Sequence, residues 1–164
     1  MKKRLVMIRH AKSSWANPLQ SDYERPLNER GQKDAPDMGR RLKKAKIIPD
    51  LIIASTARRA AETAKRIARE LDYPEDKILW QEKLYHCIST VFDEVARDIP
   101  EEVKTAFIVA HNPGITDYVS GLSQKFSIDN MPTCAAVAAE AEIAQWYDWP
   151  AAPHTVFHFD YPRK

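Results

Sequence analysis

Glycine is scarce in this sequence, and the shortage excludes two common ways of binding phosphate. Only 4 of the 164 residues are glycine, against 11 prolines. No two of these glycines have the spacing of the G-x-G-x-x-G dinucleotide motif or of the G-x-x-x-x-G-K-[ST] phosphate loop. If the protein binds phosphate, we therefore expect side chains to hold it rather than a glycine-rich loop of main-chain amides.

Cysteine is also rare, and the 2 cysteines, Cys87 and Cys134, form no C-x-x-C pair. This spacing excludes a zinc knuckle and a thioredoxin-type redox motif. We expect two reduced, half-buried thiols rather than one disulfide.

Long hydrophobic runs are absent as well. The basic N-terminus is followed by an apolar stretch of only Leu5–Ile8, too short for a signal peptide or a membrane span.

The formal net charge of +2 argues against a dedicated nucleic-acid binder. The length is that of about one domain. We therefore expect a single cytoplasmic domain over residues 1–164, with neither a membrane nor a nucleic acid as partner.

Three apolar runs have the length of strands: Leu5–Ile8, Leu51–Ala54 and Phe107–Ala110. They do not alternate with polar residues, which predicts strands of a parallel sheet buried on both faces. Two later segments, Ala135–Ile143 and Val156–Tyr161, predict further strands, the last of them at an edge of the sheet.

Helical patterns lie between the strands. They cover Asn28–Ala45, Ala57–Leu71, Ser89–Ile99 and Gly114–Leu122. Pro36 predicts a kink in the first helix or a separate first turn, and Ser55 or Thr56 is expected to cap the second helix. Strands alternating with helices predict an α/β domain built in layers around a mostly parallel sheet.

Each of the three apolar runs ends directly in polar or basic residues. Arg9 and His10 follow the first, Arg59 lies shortly after the second, and His111 follows the third. Because the carboxyl ends of parallel strands meet at one edge of a sheet, we expect these four side chains to converge there.

Two imidazoles and two guanidiniums in one pocket are suited to phosphoryl transfer. Guanidiniums match phosphate oxygens with planar pairs of donors. A neutral imidazole attacks phosphorus and forms a phospho-enzyme. The remaining cations and donors stabilise the oxygens of the transferred group, which is most of what this reaction requires.

Four segments in order resemble the histidine phosphatase superfamily. Arg9–Ala11 resembles its R-H-G signature, Arg25–Gly31 its R-P-L-T-x-x-G segment, and Ser55–Ala64 its S-x-x-x-R-A-x-x-T-A motif. Ala110–Gly114 matches the H-N-P-G variant of the SixA branch, which comprises small phosphohistidine phosphatases. The segment Met131–Cys134 is also similar to SixA-like proteins.

The resemblance implies a single three-layer α/β/α domain of the phosphoglycerate mutase-like fold and assigns roles to four residues. His10 takes the position of the nucleophile, Arg9 and Arg59 those of the phosphate-binding arginines. His111 takes that of the second histidine. Known members use no metal and no organic cofactor, and the same is implied here. Arg58 is expected to face solvent.

Three departures from the family pattern carry information. Ala11 replaces the glycine after the nucleophile, so its φ is expected to be negative. Asn112 replaces the glycine after the second histidine, and both changes suit the SixA branch. Mutase-like members have a glutamate as general acid in an L-x-E segment. The nearest match here puts His86 in its place, as a candidate acid or a solvated loop histidine.

The missing acid points to the substrate. Cleavage of an alkyl phosphate expels an alkoxide and benefits greatly from a proton donor. Phosphohistidine expels an imidazole, whose conjugate acid has a pKa of about 6.5, and it therefore leaves much more easily. A phosphohistidine phosphatase acting on a protein is therefore the leading interpretation.

Two alternatives remain open: a small-molecule phosphomonoesterase of the same superfamily, and a non-catalytic phosphate-binding module. Lys12 and Ser13 are further candidates for binding the substrate, and the loop from Lys12 to Arg25 is a candidate lid. The expected partner is a phosphorylated protein domain or a small phosphorylated substrate. The sequence leaves the oligomeric state open, with a monomer as one option.

Overall fold

The computed structural model describes residues 1–163, and its centre is a six-stranded sheet. The strands are β1 (Lys2–Arg9), β2 (Leu51–Ala54), β3 (Leu79–Trp80), β4 (Thr105–Ala110), β5 (Ala136–Glu142) and β6 (Thr155–Asp160). Their order is β3-β2-β4-β1-β5-β6. Strands β1 to β4 pair in parallel, and β5 runs antiparallel to both of its neighbours. The prediction of a mostly parallel α/β sheet with the last strand at an edge is confirmed.

The two-residue strand β3 was not expected from the sequence. It pairs with the end of β2 and forms the other edge of the sheet. Both of its side chains, Leu79 and Trp80, are exposed. A strand this short leaves no apolar run for a sequence pattern to detect.

Four helices cover the two faces of the sheet. They are α1 (Glu29–Lys44), α2 (Arg58–Glu70), α3 (Thr90–Arg97) and α4 (Gly114–Ser120). Successive side chains of a strand point to opposite faces, and β1 divides the core accordingly. Val6 and Ile8 belong to the cluster that includes the apolar residues of α1 and α2, whereas Leu5 and Met7 belong to the cluster with those of α3 and α4. The result is three layers.

Helix α1 continues through Pro36, so the prediction of a separate first turn is wrong. Ala35, Met38 and Leu42 on either side of the proline are fully buried. Burial of this apolar face offsets the main-chain hydrogen bond that the proline removes.

The expected cap of α2 is also wrong. Its N-cap residue is Ala57, and no side chain caps the helix. The Ser55 hydroxyl accepts from the Ala57 N–H at 3.3 Å, which is not yet within the helix, and it lies 2.7 Å from His111 Nε2.

The loop from Lys12 to Arg25 is tied back to the chain that follows it. Ser13 forms an isolated antiparallel bridge with Leu27, and the Ser14 N–H donates to the Pro26 carbonyl at 2.8 Å. The loop includes a short 3-10 helix, Asp22–Glu24.

Both cysteines are free, Cys134 buried and Cys87 half-buried. Burial raises the pKa of the Cys87 thiol to about 11. Over residues 1–163, none of the helices combines the length and the apolar character needed to cross a bilayer.

Candidate active site

The four residues singled out from the sequence lie together at the carboxyl ends of three neighbouring strands. Strand β4 lies between β1 and β2, and the His10 N–H donates to the Ala110 carbonyl at 3.0 Å. A cavity of about 210 Å³ opens there. Its lining is Arg9, His10, Lys12, Ser13, Trp15, Arg25, Arg59, His111, Asn112 and Thr133.

His10 is buried and held in one orientation. Its Nδ1 lies 2.8 Å from the Ala11 carbonyl oxygen. Because a carbonyl only accepts, Nδ1 carries the proton and Nε2 keeps its lone pair. Nε2 accepts a hydrogen bond from Arg59 Nε at 3.3 Å. Burial, followed by the charges of Arg59 and Arg9, lowers the pKa of His10 to about 3, so the imidazole is neutral at pH 7.

The backbone after His10 has the conformation expected from the alanine at position 11. Within residues 1–163, positive φ angles at non-glycine residues occur at four positions, and Ala11 is not among them. The Ala11 N–H donates to Thr63 Oγ1 at 3.0 Å, which ties the nucleophile segment to helix α2.

Arg9 and Arg59 approach the cavity from different elements. Arg9 donates from Nη1 to the Met131 carbonyl at 2.9 Å, and its buried Nε has no partner within residues 1–163. Arg59 is 3% exposed at the start of α2. Arg58, as expected, is exposed, and it donates to Glu62. Burial and the neighbouring Arg59 lower the pKa of Arg9 from its ordinary value.

His111 lies beside His10, with 5.2 Å between the ring centroids. Its Nε2 is 2.7 Å from the Ser55 hydroxyl, and its Nδ1 is a buried atom with no partner in the described chain. Burial and the nearby His10 and Arg59 lower the pKa of His111 to about 2. Both imidazoles of the site are therefore neutral near pH 7.

Asp22 is a central residue of the site that the sequence analysis did not identify. Its Oδ2 accepts from Arg59 Nη2 at 3.0 Å and from the Tyr85 hydroxyl at 2.6 Å. Its Oδ1 accepts from Arg25 Nε and Nη2 at 3.1 and 3.0 Å. Burial alone would raise the pKa of Asp22, but hydrogen bonds from Tyr85 and Arg25 and the charge of Arg59 hold it well below its ordinary value. The carboxylate is therefore ionised.

Arg25 is a third arginine of the cavity, buried like Arg59, and the sequence analysis did not identify it as a site residue. Its Nη1 donates to the Ser13 hydroxyl at 2.5 Å, and its guanidinium lies 3.6 Å from the centroid of the exposed Trp15 ring. Its place in the R-P-L segment was the available signal. Asp22 lies in no quoted motif, and Tyr85 occupies only the variable position of the segment compared with L-x-E, so neither was singled out.

His86 lies beside the site but does not line the cavity. Its Nε2 is 3.2 Å from Asp22 Oδ2, and its ring stacks on Tyr85 with 4.0 Å between centroids. The ring centroid is 6.1 Å from that of His111. The backbone at His86 is left-handed, with a φ of 52°, and the side chain is 56% exposed.

Lys12 and Ser13, the two further candidates, both line the cavity, Lys12 exposed and Ser13 buried. Across the described residues 1–163, no group of three or more His, Cys, Asp or Glu side chains has an arrangement that could hold a metal ion. The arrangement that is present has three guanidiniums and one neutral imidazole around the Nε2 lone pair of a second imidazole. Such a set of groups can bind a phosphoryl group and accept it covalently.

Sequence comparison shows which family of known proteins this chain matches. The sequence profile of the histidine phosphatase superfamily (branch 1) matches residues 5–118. An uncharacterized chloroplastic protein of Arabidopsis thaliana is 29% identical over 153 residues, which cover 88% of this chain and 69% of that protein. The serine/threonine-protein phosphatase Pgam5 of Drosophila ananassae is 36% identical over 77 residues, which cover 47% of this chain and 26% of that protein.

Solved structures share the fold over the whole chain. The SixA structure from Nakamurella multipartitia has a TM-score of 0.86 at 19% identity and covers 100% of this chain and 98% of its own. SixA from Agrobacterium tumefaciens has a TM-score of 0.81 at 23% identity, with 98% of both chains covered. At these identities the similarity establishes the fold and not the substrate.

Proposed function

The chain belongs to the histidine phosphatase superfamily (branch 1), and we propose that it is a phosphatase that removes phosphate from phosphohistidine on a partner protein. The observation that carries the proposal is the state of His10. Its Nδ1 is bound to the Ala11 carbonyl, and its Nε2 lone pair faces Arg59 at the cavity. A neutral, oriented imidazole among arginine side chains is a nucleophile for phosphorus.

The first step transfers the phosphoryl group to His10. The Nε2 lone pair attacks phosphorus in line with the leaving group, and the P–Nε2 bond forms. The bond from phosphorus to the substrate's histidine nitrogen breaks, and its electron pair stays on that nitrogen. Because the other ring nitrogen of this histidine carries a proton, the leaving group departs as neutral imidazole. Arg9, Arg25 and Arg59 donate to the phosphoryl oxygens and stabilise their charge in the transition state. Arg59 Nε, which donates to His10 Nε2 in the free protein, turns to a phosphoryl oxygen.

The second step transfers the group to water. Water attacks phosphorus, the P–Nε2 bond breaks, and its electron pair returns to the imidazole, which is neutral again. One proton of the water passes to a phosphoryl oxygen, and the product leaves as dihydrogen phosphate. The groups that stabilise the oxygens are the same in both steps, so one pocket serves the whole cycle.

The groups beside the pocket favour an imidazole leaving group over an alkoxide. Asp22 is the carboxylate in contact with Arg59, and its lowered pKa makes it ionised and unsuited to donate a proton. An alkoxide needs such a donor. An imidazole leaves with a conjugate-acid pKa of about 6.5 and depends on a donor much less.

A small-molecule phosphomonoesterase is the second candidate function, and one contact favours it. His86 lies 3.2 Å from Asp22 and beside Tyr85. An imidazole paired with a carboxylate is a recognised proton donor and acceptor. If His86 donates to a leaving alkoxide, alkyl phosphates become substrates.

Turnover of a substrate panel tests the proposal. The panel consists of a phosphohistidine protein, phosphoserine and sugar phosphates, each with and without a chelator. We expect the highest kcat/KM for phosphohistidine and no effect of the chelator, because arginine side chains supply the positive charge. Faster cleavage of alkyl phosphates, lost in His86→Gln but not in His154→Gln, would support the second candidate. Phosphate binding with no turnover of any substrate would favour a binding module.

A further inference from the structure

The Ser55 hydroxyl has two neighbours inside the protein, and together they determine where its proton points. Ser55 follows β2 directly and is fully buried. Its oxygen accepts from the Ala57 N–H at 3.3 Å, and it lies 2.7 Å from His111 Nε2. A hydroxyl has one hydrogen to donate and two lone pairs with which to accept.

The Ser55 hydrogen has one acceptor in the described chain. The Ala57 N–H is a donor, so the hydroxyl can donate only toward His111 Nε2. In the opposite arrangement, with the proton on Nε2, the hydroxyl would accept twice, and both its hydrogen and the Nδ1 lone pair of His111 would be buried without a partner. The first arrangement leaves one such group in the free protein, Nδ1–H, and because each unpaired buried polar group is costly, it is favoured over the arrangement that leaves two.

The other ring nitrogen of His111 leads to the same assignment. Nδ1 is buried and has no partner within residues 1–163, and His111 lines the cavity with Arg9 and Arg59. An unprotonated Nδ1 would present a lone pair to an anion bound there. A protonated Nδ1 presents a hydrogen-bond donor, which a phosphoryl oxygen satisfies.

We infer that Ser55 is a positioning residue that holds His111 as the tautomer protonated on Nδ1, so that this N–H donates to an oxygen of the transferred phosphoryl group. The two histidines of the site then carry the proton on the same ring atom for different reasons. The Ala11 carbonyl holds the proton on Nδ1 of His10 and frees Nε2 for attack. The Ser55 hydroxyl occupies Nε2 of His111 and leaves Nδ1–H for the ligand.

The assignment also explains why the predicted cap of α2 is absent. Residues such as Ser55 that precede a helix commonly accept from its first N–H groups. Here the hydroxyl accepts from the N–H of Ala57, the residue before the helix, and it donates its hydrogen to His111 Nε2. The inference rests on the proposed function only for the identity of the ligand, since the tautomer is a property of the free protein.

Nitrogen-15 NMR of histidine-labelled protein at pH 7 tests the tautomer directly, with His111→Gln to assign the signals. We expect a protonated Nδ1 and an unprotonated Nε2 for His111 in the free enzyme. Inorganic phosphate, used as the probe, is expected to shift the Nδ1–H signal. A protonated Nε2 in the free wild type overturns the inference, whether or not the protein is a phosphatase.

Variants separate positioning from a structural role. Ser55→Ala is expected to remove the fixed tautomer and to lower kcat for p-nitrophenyl phosphate by up to about 10²-fold, the lower end of the range for loss of one transition-state donor. Ser55→Thr, which keeps a hydroxyl, is expected to restore the tautomer. Ser120→Ala is the matched control, because its hydroxyl bonds to the Ile128 carbonyl away from the site. An unchanged His111 spectrum in folded Ser55→Ala contradicts the inference.

Discussion

Arg59 donates to Asp22 from both of its terminal nitrogens, at 2.7 Å to the backbone carbonyl and at 3.0 Å to Oδ2. A loop residue thus orients the guanidinium that also contacts His10. Hydrogen bonds to charged groups are worth about 1.5–3 kcal/mol, and about 1.4 kcal/mol corresponds to tenfold. We expect Asp22→Ala to lower kcat/KM by about tenfold or more, mainly by raising KM as Arg59 loses its orientation.

Steady-state kinetics with p-nitrophenyl phosphate measure this effect. Asp148→Ala is the control, since Asp148 is exposed and does not line the cavity. Wild-type kinetics in a folded Asp22→Ala protein would show that burial alone orients Arg59.

Arg58 and Arg59 form a natural matched pair of adjacent arginines. Arg59 is buried at the cavity, whereas Arg58 is exposed and paired with Glu62 on its own helix. We expect Arg59→Ala to lower kcat/KM by about 10² to 10³, the range for loss of a transition-state donor, and Arg58→Ala to change it less than about threefold. Equal losses in the two variants would contradict the assignment of Arg59 to the phosphoryl group.

The buried imidazoles predict how stability depends on pH. The folded pKa values of His10 and His111 are about 3 and about 2, both below the unfolded value of about 6.5. Between these limits the unfolded chain binds more protons than the folded protein, so the free energy of unfolding decreases as pH falls from about 6.5 toward 3.

Urea denaturation at pH 7, 6, 5 and 4 measures this dependence. The variant His10→Gln/His111→Gln is expected to lose less stability over that range, because glutamine binds no proton in either state. His158→Gln is the control for loss of a histidine outside the site. The same slope in the double variant and the wild type would mean that other groups account for it.

We expect the loss of the Trp15 ring to lower kcat/KM for a protein substrate more than for a small one. Its ring is 73% exposed, lies at the cavity, and stacks on the Arg25 guanidinium. An exposed aromatic at the rim of a phosphate site provides contact area for a protein surface. We expect Trp15→Ala to lower kcat/KM for a phosphohistidine protein by about threefold to tenfold and to leave p-nitrophenyl phosphate within about twofold.

Tyr147→Ala is the control, because Tyr147 is also exposed but lies away from the cavity lining. A loss for both substrates would assign Trp15 to holding Arg25 instead of contacting the partner protein.

Four site residues were predictable because each follows a buried apolar strand. The runs that form β1, β2 and β4 are continuous in the sequence, so the rule that ligands bind at the carboxyl ends of parallel strands locates Arg9, His10, Arg59 and His111 together. Helix α2 was predicted within one residue at each end for the same reason: its apolar face has a clear period.

Asp22, Tyr85 and Ser55 were not predicted as site residues, because their roles depend on tertiary contacts. Asp22 and Tyr85 come from loops, and no periodicity fixes the path of a loop. Local helix signals predict Ser55 only as a cap of α2. The residue that its hydroxyl contacts, His111, follows the strand β4 and is distant in the sequence. Pro36 was misjudged because burial along the whole of α1 outweighs the local effect of one proline.

Trapping the phospho-enzyme is the most direct measurement of the proposed chemistry. A ³²P-phosphorylated histidine protein is mixed with the enzyme, quenched in base within milliseconds, and digested to locate the label. We expect acid-labile label on His10, absent in His10→Ala and present in the control His154→Ala. Release of phosphate at the wild-type rate by His10→Ala, or label on another residue, would contradict a covalent route through His10.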